Sequence, residues 1–85
     1  MFELLSSPTH PGKEVHRLIL EKNMNLSEFA RHIKVSSSRV SELVHCKRGI
    51  TLDTAVKLAD AFDTTPEFWL HRQNLYDLSR IQSVT

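Results

Sequence analysis

The sequence predicts an all-α domain built from five helices. Apolar residues recur at spacings of three and four in five successive segments, which is the spacing of one buried helix face. Each segment also begins at a proline or beside a side chain that can cap a helix. No segment alternates apolar and polar residues as a half-buried strand does. With 85 residues, the chain has room for one domain with one small core.

The first predicted helix runs from Pro11 to Lys22 and begins at a proline, whose missing N–H costs nothing at that position. The second predicted helix runs from Leu26 to Ile33. Asn25 and Glu28 have the spacing of a capping box, in which each side chain bonds the other residue's backbone N–H. The residues predicted to face the core on these two helices are Val15, Leu18, Ile19, Phe29, Ala30 and Ile33.

The third predicted helix follows a tight turn at Lys34 and Val35. The hydroxyl of Ser36 can cap this helix, which continues from Ser37 to His45. Two short helices joined by a tight turn form a helix-turn-helix motif, at about residues 26–45. Its predicted inward residues are Val40, Leu43 and Val44, and its outward residues are Ser37, Ser38, Arg39, Ser41, Glu42 and His45.

Thr51 can cap a fourth helix, and Thr65 can cap a fifth that starts at Pro66. The apolar positions along these two helices are Ala55, Leu58, Ala59 and Phe62, then Phe68, Trp69, Leu70, Leu75, Tyr76 and Leu78. We therefore expect a helix-turn-helix domain over residues 11–82. A loosely structured N-terminal arm over residues 1–10 and a short tail over residues 83–85 would flank it.

The composition is that of an ordinary globular protein, with 40% hydrophobic and 25% charged residues. Cys46 is the only cysteine, so an internal disulfide cannot form, which fits a reducing compartment. The first seven residues lack the basic start and the long apolar run of a signal peptide or membrane span. We expect a soluble, cytoplasmic protein with no membrane association.

The net charge of +1 conceals an uneven distribution. Up to Ile50 the chain carries eight basic and five acidic residues, whereas beyond Ile50 it carries three basic and five acidic residues. Attraction to phosphate depends on where basic groups lie, so this asymmetry predicts a basic face in the first half. From charge alone, a chance imbalance on a solvated surface fits equally well.

A helix-turn-helix places its second helix in the major groove of DNA while the first helix crosses the backbone. Ser37 and Ser38, in the first turn of that second helix, can hydrogen-bond several base edges. Arg39 can reach either a guanine or a phosphate, and we favour the phosphate. Glu42 can accept from a cytosine amino group, or it can pair with Arg39 or Arg48 instead.

Arg31, Lys47 and Arg48 bracket the third helix in sequence, where the flanking phosphates of a docked duplex would pass. Each of them, taken alone, could equally be a solvated surface residue. The predicted DNA-contacting residues are Arg31, Ser36, Ser37, Ser38, Arg39, Ser41, Glu42, His45, Lys47 and Arg48.

Four groups of residues are typical of one known family. They are His10-Pro11-Gly12; Val35-Ser36 with the stretch from Ser38 to Leu43; the stretch from Lys47 to Thr51; and the stretch from Pro66 to Leu70 with Gln73-Asn74 and Tyr76-Asp77-Leu78. Through them nearly the whole chain resembles the HigA-type antitoxins of the Xre, or Cro/C1-like, repressor superfamily.

The resemblance implies a five-helix, lambda-repressor-like DNA-binding domain in a bacterial protein. It also implies a homodimer on palindromic double-stranded operator DNA, repression of its own operon, and neutralisation of a HigB-type ribonuclease toxin that cleaves mRNA. No cofactor and no metal are implied. Dimerisation through the last helix would involve Phe68, Trp69, Leu75, Tyr76 and Leu78. The alternative, closure of the monomer core, is favoured more for Phe68 and Leu70 than for Tyr76.

The chain departs from its relatives at three positions. Lys34 and Cys46 stand where related sequences usually have glycine, and Leu26 stands where a glutamine often contacts the DNA backbone. A residue other than glycine at positive φ costs about 1 kcal/mol. We therefore expect both turns to be strained or differently shaped, and one phosphate contact to be missing.

An enzyme would need a nucleophile beside a base, or a pair of carboxylates, and no such signature is present. The histidines lack the paired spacing of zinc sites and are interpreted as scattered surface residues: His10, His16, His32, His45 and His71. Two alternatives to an antitoxin remain open. One is a stand-alone regulator of the Xre family without a toxin, and the other is a protein-binding module on the same scaffold.

Overall fold

The computed structural model describes residues 9–84 and contains five α-helices, with no strand in that part of the chain. The helices are α1 (Pro11–Glu21), α2 (Leu26–Ile33), α3 (Ser37–Val44), α4 (Leu52–Phe62) and α5 (Pro66–Val84). The predicted all-α fold with a central helix-turn-helix is confirmed.

The predicted bounds differ from the observed ones only at helix ends. Helices α1 and α3 each end one residue earlier than expected, which is within the ordinary fraying of a last turn. Helix α5 continues through Ser83 and Val84, which were predicted to lie in a tail. No glycine or proline follows Pro66, so nothing in the sequence stops this helix earlier. Of the predicted N-terminal arm, residues 1–8 lie outside the described part.

The helices begin where capping side chains were predicted. Asn25 Oδ1 accepts from the Glu28 N–H at 2.8 Å, and Glu28 Oε1 accepts from the Asn25 N–H at 2.9 Å. The capping box is therefore complete. The hydroxyls of Ser36, Thr51 and Thr65 each accept a hydrogen bond from the backbone N–H three residues later. All these bonds join near neighbours, which is why the sequence can predict them.

Four of the helices end in the same way, with a residue in the left-handed conformation just beyond the last turn. These residues are Asn23 (φ 58°), Lys34 (φ 62°), Cys46 (φ 63°) and Asp63 (φ 57°). In each case the next residue's N–H bonds a carbonyl five residues back, as in a Schellman motif. Of the two outcomes expected at Lys34 and Cys46, a strained turn or a differently shaped one, the structure shows the first, because both residues have positive φ although neither is glycine.

One hydrophobic core lies between the helices. Phe29 and Trp69 are its largest members, and Phe62 stacks on Phe29 with ring centroids 5.1 Å apart. The indole Nε1 of Trp69 donates to Thr64 Oγ1 at 2.8 Å, so its one polar atom is satisfied. The buried apolar residues are Val15, Ile19, Phe29, Ala30, Ile33, Val40, Leu43, Val44, Ile50, Ala55, Leu58, Ala59 and Trp69.

The start of α1 packs directly against the end of α3. Gly12 is buried, and a β-carbon there would overlap the carbonyl oxygen of Leu43 and lie 2.9 Å from its carbonyl carbon. His10 caps α1, because its Nδ1 accepts from the Gly12 N–H at 2.9 Å. The expectation that His10 belongs to a loose arm and to the surface histidines is wrong. The capping bond and the packing of its ring against Tyr76 of α5 leave it only 6% exposed.

Candidate nucleic-acid interface

The turn between α2 and α3 presents the start of α3 to solvent. Ser36 Oγ accepts from the Arg39 N–H at 3.2 Å, and Ser37 and Ser38 are exposed. Short hydroxyl side chains and the first backbone N–H groups of a helix can donate to phosphate oxygens and base acceptors. This end of α3 therefore offers the hydrogen-bonding groups that a helix-turn-helix needs in the major groove.

Three basic side chains near this surface make no ion pair within the described residues: Arg31, Arg39 and Lys47. Arg31 and Lys47 are exposed, whereas Arg39 is half-buried, because it lines a small apolar cavity beneath α3 together with Phe29 and Leu58. Cations without a carboxylate partner remain available to neutralise phosphates.

Arg48 is the basic residue of the set that does have a partner. Its Nη2 lies 2.8 Å from Glu42 Oε1, and its Nε donates to the same oxygen at 2.9 Å. Of the roles considered for Glu42, pairing with Arg48 is therefore the one observed. Both side chains are about half exposed, Glu42 at 46% and Arg48 at 45%. Such a pair adds little stability, but it fixes the direction of the Arg48 guanidinium relative to α3.

Ser41 on α3 hydrogen-bonds His45, the residue that ends this helix. His45 Nδ1 lies 2.7 Å from the backbone carbonyl oxygen of Ser41 and 3.4 Å from its hydroxyl. An Nδ1–H donated to the carbonyl leaves Nε2 of the neutral imidazole as an acceptor. His45 therefore stands at the far end of the exposed α3 face with its ring orientation set by its own helix.

Two buried polar side chains hold the loop that follows α3, and neither of them was predicted to have a role at the interface. We call residues 47–50 the basic loop, because it contains Lys47 and Arg48. Gln73 accepts from the Ile50 N–H at 2.8 Å, and the carbonyl of Arg48 hydrogen-bonds the imidazole of His10. Both residues belong to motifs typical of the family, but the sequence has no signal that brings positions 50 and 73 together.

The residues predicted to dimerise do not all face solvent. Phe68, Leu75 and Leu78 on α5 are 38%, 42% and 52% exposed, and Tyr76 is half-buried. Trp69 is completely buried in the monomer, so it has no surface to offer to a second subunit. The prediction that Trp69 belongs to a dimer surface is therefore wrong, because its indole packs in the core against Phe62.

Neither a metal site nor a membrane-spanning helix is found in the described part of the chain. Between residues 9 and 84, no group of three histidine, cysteine or acidic side chains is placed to hold a metal ion. None of the helices there is long and apolar enough to cross a membrane.

Comparison with known proteins places this geometry in a family. Residues 14–67, more than half of the chain, match the Cro/C1-type helix-turn-helix DNA-binding domain. A protein of Haemophilus influenzae, described as an HTH-type transcriptional regulator, is 42% identical over 72 residues, which span 84% of this chain and 67% of that protein.

Two solved structures are similar over most of both chains. An addiction module antidote protein of the HigA family from Coxiella burnetii superposes with a TM-score of 0.81 at 38% identity, covering 88% of this chain and 83% of that one. The Pseudomonas aeruginosa antitoxin HigA, solved with the higBA promoter, superposes with a TM-score of 0.86 at 33% identity, covering 91% and 85%. This chain therefore belongs to the family of Cro/C1-type helix-turn-helix DNA-binding domains, which are regulators and not enzymes, and its structural neighbours are HigA-family antitoxins.

Proposed function

We propose that this chain is a sequence-specific transcriptional repressor and the antitoxin of a type II toxin-antitoxin module in the bacterial cytoplasm. As a homodimer it binds a palindromic operator in its own promoter, and it neutralises a HigB-type toxin that cleaves mRNA. One observation carries the DNA-binding part: the exposed start of α3, where Ser37 and Ser38 lie beside Arg39, a cation that pairs with no carboxylate of residues 9–84.

The proposed docking divides the interface residues into two groups. Helix α3 enters the major groove, where the first-turn serines, Ser41 and His45 meet base edges. Arg31, Arg39 and Lys47 hold phosphates, and Glu42 directs Arg48 toward the backbone. The Pseudomonas aeruginosa HigA solved with the higBA promoter supports this docking, since its fold covers 91% of this chain.

A palindromic operator requires two copies of α3, one from each subunit, related by a two-fold axis. Phe68, Leu75 and Leu78 form an exposed apolar stripe along α5, with successive members seven and three residues apart. We call these three residues the α5 stripe. Burial of the α5 stripe against its copy would remove apolar surface from water and bring two α3 helices into one assembly.

The antitoxin part rests on the antidote protein from Coxiella burnetii, which shares 38% identity with this chain. A stand-alone regulator without a toxin is the second candidate, and the Haemophilus influenzae regulator at 42% identity favours it. A protein-binding module without DNA affinity is the third candidate. The cations around α3 that make no ion pair in the described part of the chain argue against this third candidate, because such cations attract phosphate.

The decisive measurement is binding to a duplex taken from directly upstream of the protein's own reading frame, across a salt series. The test variant is Arg39→Ala with Lys47→Ala. The matched control is Lys13→Ala on α1 with Lys22→Ala at the C-terminal cap of α1, which loses the same charge. Each lost phosphate contact should reduce the slope of log K against log salt by about 0.9. We expect the test variant to lose selective binding and about two units of slope, and the control to retain both.

Equal loss of DNA affinity and equal salt slopes in the two variants would contradict the assigned interface.

For the toxin, we expect the product of a short reading frame directly upstream to co-purify with this chain. The DNA-binding variant should still protect cells that express that product. If neither the wild-type protein nor the DNA-binding variant protects these cells, the stand-alone regulator is favoured.

A further inference from the structure

Gln73 is a buried polar residue on α5 whose side chain reaches the basic loop. It is 8% exposed, and its Oε1 accepts from the Ile50 N–H at 2.8 Å. Its Nε2 donates to Asp77 Oδ1 at 2.9 Å, so the orientation of the amide is set. The bond to Ile50 joins residues 23 positions apart and ties α5 to this loop.

The contact between Gln73 and the loop is close as well as polar. A β-carbon at Gly49 would lie 3.3 Å from three atoms of the Gln73 amide, so the amide lies directly against the loop backbone. On the other side, His10 packs on Tyr76 and hydrogen-bonds the carbonyl of Arg48. The basic loop is therefore held between α5 and the residue that caps α1.

This loop contains two of the cations proposed to contact phosphate. Lys47 and Arg48 are exposed, and at its other end Thr51 caps α4. Contact residues must be held within about 0.5 Å of the productive geometry by groups that are themselves fixed. A loop with an unpaired buried N–H at its inner end would instead move to find another acceptor, because a buried N–H without a hydrogen bond is costly.

We propose that Gln73 is a positioning residue for DNA binding, which holds the basic loop in the conformation that places Lys47 and Arg48 on the phosphates. The proposal rests on the proposed function, because it presumes that these cations contact operator DNA. It also makes α5 part of two interfaces, since the same helix carries the α5 stripe. The Gln73 hydrogen bond therefore connects α5, which carries the proposed dimer surface, to the basic loop.

The test compares three variants with the wild-type protein. Gln73→Met removes both hydrogen bonds while keeping the length of the side chain. Gln73→Glu with Asp77→Asn restores both, because the new carboxylate accepts from the Ile50 N–H and from the amide at position 77. Thr64→Val is the matched control, since it removes the Trp69 indole bond at the opposite end of α4 and leaves the loop intact.

Two quantities are measured at a temperature where all four proteins are folded. The first is affinity for the upstream duplex, and the second is hydrogen exchange at the Ile50 amide. We expect Gln73→Met to bind about tenfold more weakly, and to exchange the Ile50 amide about tenfold faster, than Thr64→Val. The double variant should return both quantities to within about threefold of wild type.

Equal DNA affinity of Gln73→Met and Thr64→Val would overturn the proposal, as would a double variant that fails to recover. Failure of the proposed function has a different signature, because the wild-type protein itself would then not select the upstream duplex. In that case slow exchange at Ile50 in wild type and fast exchange in Gln73→Met would still establish that Gln73 holds the loop, and the claim about DNA would be lost.

Discussion

The imidazole of His10 meets the ring of Tyr76 edge to face, with centroids 4.8 Å apart and ring planes at 74°. This contact joins the residue that caps α1 to the middle of α5. The same imidazole accepts from the Gly12 N–H and hydrogen-bonds the carbonyl of Arg48. One side chain thus connects the start of the domain, the basic loop and the last helix.

Stability should fall in mild acid because of His10. Burial lowers the pKa of His10 below its ordinary value of 6.5, although the Asp77 carboxylate and the Arg48 carbonyl oppose this and the charge of Lys13 adds to it. The unfolded chain therefore takes up a proton at higher pH than the folded chain. The free energy of unfolding decreases as the pH drops below 6.5 and through the folded-state pKa.

The check is urea unfolding of wild type and His10→Asn between about pH 7 and pH 5. Asparagine keeps an acceptor at the helix cap and does not titrate. We expect the stability of His10→Asn to change less with pH than that of wild type. If the unfolding free energies of wild type and His10→Asn fall equally with pH, His10 is not the source of the acid sensitivity.

Gly12→Ala should destabilise the domain strongly. The added methyl group would overlap the carbonyl oxygen of Leu43, which is backbone and cannot rotate away as a side chain does. We expect a loss of about 1–3 kcal/mol in unfolding free energy, the cost of overpacking a filled interface. Lys13→Ala, at an exposed position of the same turn, is the control and should stay within about 0.5 kcal/mol of wild type. Equal stability of the two variants would mean that α1 can shift freely on α3.

Lys34→Gly should stabilise the domain. Lys34 has φ 62° and ψ 45°, a left-handed conformation that costs an ordinary residue about 1–2 kcal/mol. The greater freedom of glycine in the unfolded chain offsets part of the gain, so we expect about 0.5–1 kcal/mol in chemical denaturation. Asn23→Gly is the control, because asparagine adopts φ 58° at little cost. A larger gain at Asn23 than at Lys34 would contradict the strain assigned to the turn.

Leu75→Gln with Leu78→Gln should produce a folded monomer. Both side chains are exposed on α5 and belong to the α5 stripe, so their replacement costs the monomer little. We expect light scattering to give the mass of one chain where wild type gives two, and operator affinity to fall with it. Leu20→Gln, on α1 at 60% exposure, is the control and should remain dimeric. An unchanged mass for the α5 variant would place the dimer surface elsewhere.

The sequence by itself determined the features that depend on near neighbours. The capping box of Asn25 and Glu28, and the bond from the Arg39 N–H to Ser36, span three residues, so the pattern of residue types is enough to predict them. Apolar spacing likewise predicted which side of α2 is buried, because a helix repeats every 3.6 residues. The left-handed turn at Lys34 was indicated only by the glycine that related sequences usually have at this position.

Only the tertiary structure decided how distant elements meet. Trp69 faces the core and not a second subunit, because α5 lies against α4 with that side inward. Glu42 pairs with Arg48 only because the chain reverses after α3 at Cys46. The bonds from His10 and Gln73 to the basic loop join segments that are far apart in sequence. Such contacts depend on helix packing, which residue spacing within one helix does not encode.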